Sequence, residues 1–373
     1  MNITFVSPDY PGEGRSTFTF VKQLVDEISN QGNSCIVVAP YGYKPWQVLS
    51  RHKTLIENDG RVTIIRPPFL LLPNIYLLGF SLSQYIRRKS VTNVLNTLSK
   101  IPDVIYGHFW SSAFEAYNYA KKNNIPLFVA TGESVITRLF KPSKKTKAFS
   151  EYIKGVVCVS LKNKEESIHL GLTIPEKCEV FPNAINDQVF FKRDKAKCRS
   201  SLKISNDKFI VSFVGWFSER KGSKRLSEAI SRSKFDDIYS FFIGSGIEQP
   251  YCNNIIYKGL VSHNELPLYL NASDVFVLPT LNEGCCNAII EAMACGLPII
   301  SSNLEFNHDI LDHTNSIMVD PMNVNEIKKA IDLLREDQAL RNQLSKGAIE
   351  TAKKLTISKR AKNIIDFIYS KIN

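Results

Sequence analysis

Short runs of β-branched and aromatic residues alternate along this chain with longer amphipathic runs. Near the N terminus, residues 3–7 predict a buried strand, residues 18–28 an amphipathic helix that ends at Gly32, and residues 34–39 a second strand. A strand, a glycine-containing loop, a helix and a further strand are the beginning of a doubly wound sheet, in which ligands bind at the carboxyl ends of the strands. The pattern therefore predicts an α/β fold.

The same alternation continues to the end of the chain. It predicts further strands at residues 103–107, 126–130, 155–160, 209–215, 241–246, 257–260, 274–279, 299–302 and 316–321, and late helices at residues 323–335, 339–354 and about 358–372. After residue 192 the composition becomes polar, as at a domain boundary. A chain of 373 residues is long enough for two domains, and we place them at residues 1–191 and 192–357.

Residues 274–302, DVFVLPTLNEGCCNAIIEAMACGLPIISS, predict one complete unit of strand, loop, helix and strand. Asn287 is the predicted N-cap of a helix over residues 288–295, and the loop that leads into this helix contains Gly284, Cys285 and Cys286. The unpaired N–H groups and the positive dipole end of a helix favour a phosphate or another anion. We therefore predict an anion-binding site where this loop meets the helix.

Two carboxylates flank the predicted anion site, Glu283 on the loop and Glu291 on the helix. They would repel a bare phosphate, so we expect them to bind neutral, hydroxyl-rich parts of a ligand, and a nucleotide sugar has both kinds of group. Glu283, seven residues, Glu291 and then AMACGLP resemble the signature of the family 4 retaining glycosyltransferases. That family has the GT-B fold, in which two doubly wound Rossmann-like domains face each other across a cleft.

The resemblance implies a role for each residue of this motif. Glu283 would be a catalytic residue that faces the donor sugar, and Glu291 would bind the hydroxyl groups of the nucleotide ribose. The donor would also contact Gly284, Cys285, Cys286 and Asn287. In the same fold the last helix, about residues 358–373, returns to the first domain.

A second motif lies at residues 216–222, WFSERKG, directly after a predicted strand. It resembles the family's GRLxxxKG, in which basic residues hold the donor pyrophosphate. The resemblance places Gly215 and Lys221 in the donor site, whereas Trp216 stands where relatives have arginine, and Arg220 would supply the guanidinium instead. Two cations suit a departing nucleoside diphosphate, which gains negative charge in the transition state. Both are therefore predicted catalytic as well as donor-binding residues.

The first domain carries looser matches to the same family. Residues 103–110, DVIYGHFW, resemble the family's DVIHAH, whose final histidine lies against the donor sugar, so His108 is a predicted catalytic residue at a strand end. Residues 8–15, PDYPGEGR, resemble a glycine-bearing loop that faces the donor phosphates and the acceptor. We place Gly14 with the donor, and the acceptor-side candidates are Gly12, Arg15 and Glu133. The dinucleotide fingerprint GxGxxG is absent, so a nicotinamide cofactor is not expected.

The formal net charge of +11 indicates an anionic partner. Nucleic acid is not expected, because the sequence has no recognisable finger, basic zipper or repeated basic and aromatic module. An anionic membrane surface is the better candidate, because the apolar residues 67–80 are too few to span a bilayer and are followed by Arg87, Arg88 and Lys89. A core segment followed by a solvated basic helix explains this stretch equally well. Solvation also explains the basic loop at residues 141–147.

The N terminus and the cysteines both indicate a cytoplasmic protein. Residues 2–8 already have the pattern of a strand and a turn, so no signal peptide is expected. The eight cysteines form no CxxC pair and no zinc spacing, which favours reduced and buried thiols. Cys285 and Cys286 are either reactive groups of the loop or simple fillers of space. We expect the chain in the cytoplasm, peripherally at the inner face of the cell membrane.

We expect no cofactor and no divalent metal. The sequence contains no Asp-x-Asp triplet, and protein cations and helix dipoles can neutralise a nucleoside diphosphate instead. A cluster with metal-like spacing does occur after the donor motif, but the polar start of a helix explains it more simply: His308, Asp309, Asp312 and His313.

Together, the resemblances of these motifs imply a retaining glycosyltransferase, and we expect it to be metal-independent. It would move a sugar from a nucleotide-sugar donor to a glycan or lipid-linked acceptor in cell-surface polysaccharide synthesis, with the donor on the second domain and the acceptor on the first. Two alternatives stay open. A sugar-nucleotide epimerase of the same architecture would convert the donor without an acceptor, and a catalytically silent binding subunit would bind the donor without turnover.

Overall fold

The computed structural model describes residues 1–12, 17–47, 53–72, 76–77, 80–136 and 144–372. The chain forms two compact units, the first made of Met1–Phe181 with Arg360–Asn373 and the second of Pro182–Lys359. The second unit thus begins before the predicted boundary at residue 192. The reason is that Ile185 pairs with Thr356: the Ile185 N–H donates to the Leu355 carbonyl at 2.9 Å, and the Ile357 N–H donates to the Ile185 carbonyl at 2.8 Å.

The first unit is built around a parallel sheet in which β1 lies between β2 and β9, so the chain winds outward in both directions. The main sheet has the order β12-β11-β10-β9-β1-β2-β5-β4, and only the β4 and β5 pair is antiparallel. The elements are β1 (Asn2–Val6), α1 (Thr19–Asn30), β2 (Ser34–Val38), β3 (Tyr41–Tyr43), β4 (Leu55–Asp59), β5 (Val62–Arg66), β6 (Pro68–Leu70), β7 (Tyr76–Leu77), β8 (Phe80–Ser81), α2 (Leu82–Asn96), β9 (Val104–His108), α3 (Trp110–Lys122), β10 (Leu127–Thr131), α4 (Lys144–Tyr152), β11 (Gly155–Cys158), α5 (Leu161–His169) and β12 (Cys178–Val180).

The second unit repeats this plan with a parallel sheet of order β15-β14-β13-β16-β17-β18. Its first strand, β13, lies between β14 and β16, so the switch in strand order falls there. The elements are α6 (Lys195–Ser201), β13 (Phe209–Val214), α7 (Ser223–Ser231), β14 (Ile238–Ile243), β15 (Ile255–Gly259), α8 (Leu266–Ala272), β16 (Val275–Leu278), α9 (Asn287–Ala294), β17 (Ile299–Ser302), β18 (Ser316–Val319), α10 (Val324–Glu336) and α11 (Gln338–Ala352). The chain ends with α12 (Ile357–Ile372), which begins in this unit.

The sequence pattern explains both sheets. Central strands such as β10 and β16 are apolar at nearly every position and are buried throughout, as expected when helices cover both faces of a parallel sheet. The last helix, α12, belongs mainly to the first unit, where Phe367 packs edge-on to Phe128 of β10 with ring centroids 6.1 Å apart. The predicted α/β, doubly wound fold is confirmed.

Two local predictions need correction. The predicted loop at residues 141–147 becomes in part the first turn of α4, while residues 141–143 lie outside the described residues. The N-cap of α9 is Cys286, and Asn287 is the first helical residue, so the predicted cap at Asn287 was wrong by one position. Within the described ranges, no helix is both long and apolar enough to cross a lipid bilayer.

Candidate active site

The candidate donor site lies at the carboxyl edge of the second sheet, where β13 and β16 are neighbours. The loop after β13 ends at Gly222, which begins α7, and the loop after β16 ends at Cys286, which begins α9. The Leu281 N–H donates to the Arg220 carbonyl at 2.8 Å and joins the two loops. Ligands of doubly wound sheets bind at this edge, at the point where the strand order reverses.

Glu283 is the centre of a charge cluster between these loops. Its Oε1 atom lies 2.6 Å from Lys221 Nζ and 2.6 Å from Arg220 Nη1, and it accepts a hydrogen bond from Thr280 Oγ1 at 2.9 Å. The Glu283 and Lys221 side chains are 12% and 13% exposed, whereas Arg220 is 42% exposed. Because one carboxylate faces two cations, the cluster retains an excess positive charge that an anionic ligand can compensate.

Lys221 remains protonated although it is largely buried. Burial lowers the pKa of its ammonium group, but the Cys286 sulfur and the Glu283 carboxylate raise it, and the net shift of the pKa is upward. Burial also raises the pKa of the Cys286 thiol, so at neutral pH the charged partner of Lys221 is Glu283. The cluster therefore presents a permanent cation at the carboxyl edge of the sheet.

Gly222 explains why glycine follows the lysine in this motif. Its φ of 80° lies in the left-handed region, and a Cβ atom at this position would be 2.6 Å from the Pro279 carbonyl oxygen. Arg225 Nη2 donates to the same oxygen at 2.9 Å. Lys221 thus supplies the charge, and Gly222 permits the close approach of the two loops.

The start of α9 is the place where the sequence predicts an anion site. Gly284 is buried, and the Cys285 carbonyl accepts a hydrogen bond from Asn183 Nδ2 at 3.0 Å. The buried Oδ1 atom of Asn287 accepts no hydrogen bond from any described residue. The first turn of α9, at the positive end of the helix dipole, lies beside the charge cluster, since Lys221 Nζ is 3.9 Å from Cys286 Sγ.

Glu291 has a partner that the sequence did not indicate. Its Oε1 atom lies 3.1 Å from Nε2 of His263, a residue in the loop between β15 and α8. The hydrogen bond to Glu291 raises the pKa of His263, and burial opposes this rise. A lone histidine in a loop has no spacing that a motif search can detect, so His263 was missed.

In the first unit, His108 is the last residue of β9 and is buried. Its ring lies against Phe20 and Phe109, with centroids 5.4 and 4.9 Å away, and its Nδ1 atom has no hydrogen-bond partner among the described residues. Burial lowers the pKa of His108 to about 3, and Arg360 contributes to the shift. At neutral pH the imidazole is therefore uncharged. One of its ring nitrogens can donate a hydrogen bond and the other can accept one.

The other first-unit candidates are less open to a ligand. Glu133 Oε1 accepts the Trp110 N–H at 3.1 Å, and Oε2 accepts the Thr131 hydroxyl at 2.7 Å and the Gly132 N–H at 2.9 Å. Burial raises the pKa of Glu133, against these hydrogen bonds. Both oxygens are occupied at the start of α3, which favours a structural role.

The glycine loop is described only in part. A Cβ atom on Gly12 would lie 2.5 Å from Arg66 Nη2, and the buried Arg66 donates to the carbonyls of Tyr10 and Pro11 at 2.9 and 2.8 Å. Gly14 and Arg15 lie outside the described residues.

The apolar stretch at residues 67–80 and the basic helix after it are partly internal. Phe69 of β6 is buried, and Arg87 Nε lies 3.2 Å from Oε1 of Glu115, whose side chain is 9% exposed. Residues 73–75 and 78–79 lie outside the described residues. Arg87 therefore compensates an internal carboxylate, whereas Lys89 is exposed.

The cluster with metal-like spacing after β17 is engaged in local hydrogen bonds. His308 Nε2 lies 2.9 Å from Asn303 Oδ1, and Asp312 Oδ1 accepts the Thr314 N–H at 2.7 Å. Among the residues that the structure describes, no group of three or more His, Cys, Asp and Glu side chains is arranged to hold a metal ion.

Two sequence families match the chain, one for each unit. Residues 17–189 match a family described as "Glycosyltransferase Family 4", and residues 194–351 match "Glycosyl transferases group 1". Between them, these matches include every candidate site residue except Gly12, Gly14 and Arg15.

Curated relatives carry names of the same kind. TuaC of Bacillus subtilis (strain 168), whose name assigns it to teichuronic acid biosynthesis as a glycosyltransferase, is 26% identical over 94% of this chain and 92% of its own length. A UDP-Gal:alpha-D-GlcNAc-diphosphoundecaprenol alpha-1,3-galactosyltransferase of Escherichia coli is 27% identical over 52% of this chain and 54% of its own length.

Solved structures share the fold over nearly the whole chain. The sucrose-phosphate synthase from Thermosynechococcus elongatus superposes with a TM-score of 0.78 and 18% identity, covering 99% of this chain and 98% of the other. HepE of Anabaena in complex with UDP gives a TM-score of 0.76 and 16% identity, covering 99% and 100%. At these identities the likeness establishes the fold, and it confirms the predicted GT-B architecture.

Proposed function

We propose that this chain, which belongs to the family 4 glycosyltransferases, transfers a sugar from a nucleoside-diphosphate sugar to a lipid-linked acceptor with retention at the anomeric carbon. Binding of the donor is supported by one observation: Lys221 and Arg220 both contact the Oε1 atom of Glu283, beside the start of α9. A site with surplus positive charge next to a carboxylate suits a ligand that has both a diphosphate and hydroxyl groups.

Lys221 and Arg220 would neutralise the departing diphosphate. Lys221 is fixed and largely buried, so its charge acts in a medium of low polarity and needs little rearrangement during the reaction. Arg220 is more exposed and can form two hydrogen bonds to phosphate oxygens with its planar guanidinium group. The positive end of the α9 helix dipole would further stabilise the negative charge of the diphosphate.

We propose that this arrangement makes a divalent metal unnecessary. Phosphate charge can be neutralised either by a metal ion on carboxylates or by protein cations, and here the nearest carboxylate, Glu283, is already bound to two cations. Activity should persist in excess EDTA. Complete loss of activity that magnesium or manganese restores would contradict the proposal.

Glu283 and Glu291 would each bind hydroxyl groups of the donor. No hydrogen bond between described residues uses Oε2 of Glu283, which leaves that oxygen for the transferred sugar. Glu291 lies one helix turn or more along α9 and would accept hydrogen bonds from the ribose. The uncharged imidazole of His108 would form a hydrogen bond with the sugar without adding a charge.

The names of two relatives support a lipid-linked acceptor. The E. coli relative is named for a diphosphoundecaprenol-linked acceptor, and so is a Campylobacter jejuni relative, an N,N'-diacetylbacillosaminyl-diphospho-undecaprenol alpha-1,3-N-acetylgalactosaminyltransferase that is 27% identical over 58% of this chain. We extend this acceptor class to the present chain. A sugar on a polyprenyl diphosphate also offers an anionic group that a basic protein can recognise.

We further propose that the first unit contacts the anionic inner face of the cell membrane, where such an acceptor lies. Trp46 is 74% exposed with Lys44 Nζ 5.0 Å above its ring, and Tyr85 is 45% exposed with Lys89 Nζ 5.2 Å from its ring. Exposed aromatic rings next to lysines suit the boundary between lipid headgroups and acyl chains. This surface, Lys44, Trp46, Tyr85 and Lys89, is called the aromatic–basic surface below.

The decisive experiment offers the purified chain a panel of radiolabelled nucleotide sugars, with and without polyprenyl-diphosphate-linked sugars. We expect labelled lipid and free nucleoside diphosphate in equal amounts, and an α-linked product from an α-linked donor by NMR. Conversion of the donor to an isomer without acceptor would indicate an epimerase. Donor binding without any product from the complete panel would indicate a binding subunit.

A further inference from the structure

We propose that His263 is a positioning residue that orients the Glu291 carboxylate for the nucleotide ribose. The inference rests on the function proposed for Glu291 and adds a residue that neither glycosyltransferase motif contains. His263 lies between β15 and α8, whereas Glu291 lies on α9, so only the folded second unit brings the two together.

The contact leaves one oxygen of the carboxylate available. His263 Nε2 lies 3.1 Å from Oε1 of Glu291, and no hydrogen bond between described residues involves Oε2. A carboxylate on a flexible side chain can rotate, and a ligand that needs one orientation has to bear the entropic cost of fixing it. The hydrogen bond from His263 removes part of this cost before the nucleotide arrives.

The histidine is itself held from two sides. Its ring packs edge-on to Phe190 with centroids 4.9 Å apart, and Phe190 is buried with its N–H donating to the Asn186 carbonyl at 2.9 Å. On the other side, Ser262 begins a turn in which the Glu265 and Leu266 N–H groups both donate to its carbonyl at 3.0 Å. The Phe190 contact and the backbone turn thus both help to place the His263 ring next to Glu291.

The chemistry of the pair also selects one form of the imidazole. A carboxylate can only accept, so Nε2 has to carry a proton in the contact, both in the neutral ring and in the imidazolium. The upward shift of the His263 pKa, caused first by the hydrogen bond to Glu291, agrees with this arrangement. The contact persists whether or not the ring is charged, because either form donates from Nε2.

A positioning role makes a specific energetic prediction. Loss of His263 should weaken nucleotide binding, while the rate at saturating donor should stay nearly the same, since the chemistry occurs at the diphosphate and the sugar. The effect should also depend on Glu291, because His263 acts through it. Two residues that act through one contact show non-additive effects in a double-mutant cycle.

The test measures the dissociation constant of UDP by titration calorimetry for His263→Ala, His263→Gln, Glu291→Ala and the double variant His263→Ala/Glu291→Ala. GDP or ADP replaces UDP if it binds the wild type more tightly. We expect His263→Ala to weaken binding roughly five- to tenfold, and His263→Gln by less than about twofold, because the Gln amide can donate from a similar place. The double variant should bind no more weakly than Glu291→Ala.

A second readout distinguishes positioning from general support of the fold. Affinity for UDP relative to 2′-deoxy-UDP should fall in His263→Ala, since the carboxylate then discriminates less between ribose and deoxyribose. The thermal midpoint and the kcat at saturating donor should stay close to those of the wild type. His313→Ala, which removes an exposed histidine of the same unit, is the matched control.

The outcomes separate the inference from the proposed function. Unchanged UDP affinity in Glu291→Ala, or no nucleotide binding by the wild type, would remove the ribose role of Glu291 and the inference with it. Weakened binding in Glu291→Ala with full binding in His263→Ala, or with additive losses in the double variant, would overturn the positioning role alone.

Discussion

The two units hold their candidate residues in opposite ways. In the second unit, charged side chains from two loops meet at one oxygen of Glu283 and compensate one another. In the first unit, His108 is buried and uncharged, and Glu133 uses both oxygens to bind neighbouring N–H and O–H groups. The second unit thus presents charged groups that a ligand can bind, whereas the first unit keeps one candidate side chain buried and uncharged and the other fully hydrogen-bonded.

This difference agrees with the roles proposed above, in which the charged cluster binds a diphosphate and His108 binds a neutral sugar. A diphosphate needs cations whose existing partner can be replaced or shared, whereas a neutral sugar needs polar groups that carry no charge. Changes in the second unit should therefore alter nucleotide affinity or the stabilisation of the leaving group. Changes at His108 should alter the rate and the stability but leave the affinity for free nucleotide as it is.

The largest effect is expected from removing the buried cation of the second unit. Lys221→Ala should lower kcat/KM by roughly 2 to 4 kcal/mol of transition-state stabilisation, comparable to removing one preorganised donor from an oxyanion site. The measurement is steady-state kinetics with the donor that the panel of nucleotide sugars identifies. Lys224→Ala is the control, because Lys224 is exposed and paired with Glu248 outside the cluster. Equal losses in both variants would mean that general surface charge, and not the cluster, supports the reaction.

The next effect separates the two carboxylates of the same unit. Glu291→Ala should weaken donor and free nucleoside diphosphate alike by roughly 1 to 3 kcal/mol, through loss of charged hydrogen bonds to ribose. Glu283→Gln should bind free nucleotide at least as tightly as the wild type, because it releases Lys221 and Arg220 from their carboxylate. Titration calorimetry measures both. A similar loss of nucleotide affinity in the two variants would contradict the separate roles.

A smaller effect contrasts the two histidines through the pH dependence of stability. The pKa of His108 in the folded protein is lowered to about 3, so below about pH 6.5 the unfolded chain binds more protons than the folded protein. The free energy of unfolding should therefore fall as the pH drops through this range, by at most about 1.4 kcal/mol per pH unit. The pKa of folded His263 is raised. The stability that His263 contributes is fully present below its pKa in the unfolded chain and is lost as the pH rises through its pKa in the folded protein. Because the side chain is partly exposed, this contribution is small.

Urea unfolding at a series of pH values checks this contrast. In a plot of the free energy of unfolding against pH, His108→Gln should reduce the slope on the acid side. His263→Gln should reduce the slope at pH values above the pKa of His263 in the unfolded chain. Identical profiles for the two variants would show that the histidines do not differ as the structure indicates.

The smallest effect concerns the aromatic–basic surface of the first unit. Binding to vesicles that contain anionic phospholipid should weaken with salt, and Lys44→Ala or Lys89→Ala should each cost about 1 kcal/mol or less. Vesicle sedimentation measures this, with Lys234→Ala of the second unit as control, since Lys234 is paired with Glu336. Equal binding to neutral vesicles, or none to either kind, would remove the membrane from the proposal.

Much of the fold could be predicted because its signals are local. The apolar runs and the glycine-containing loops gave most strands of both sheets within a few residues, for example β17 at Ile299–Ser302. The spacing of Glu283, Glu291 and the following AMACGLP is carried by one continuous stretch of chain. The N-cap of α9 was misplaced by one position because asparagine is the better capping residue, yet the backbone turns at Cys286.

The sequence by itself determined the α/β class and the family, and it predicted which side chains of the second unit bind the donor, since these follow from local periodicity and from motifs within single loops. Only the tertiary structure decided that Lys221 and Arg220 share one oxygen of Glu283, that Glu133 caps α3, and that His263 reaches Glu291. These partners lie far apart along the chain. Their distances depend on which strands are neighbours in the sheet, and no local pattern of residues encodes that order.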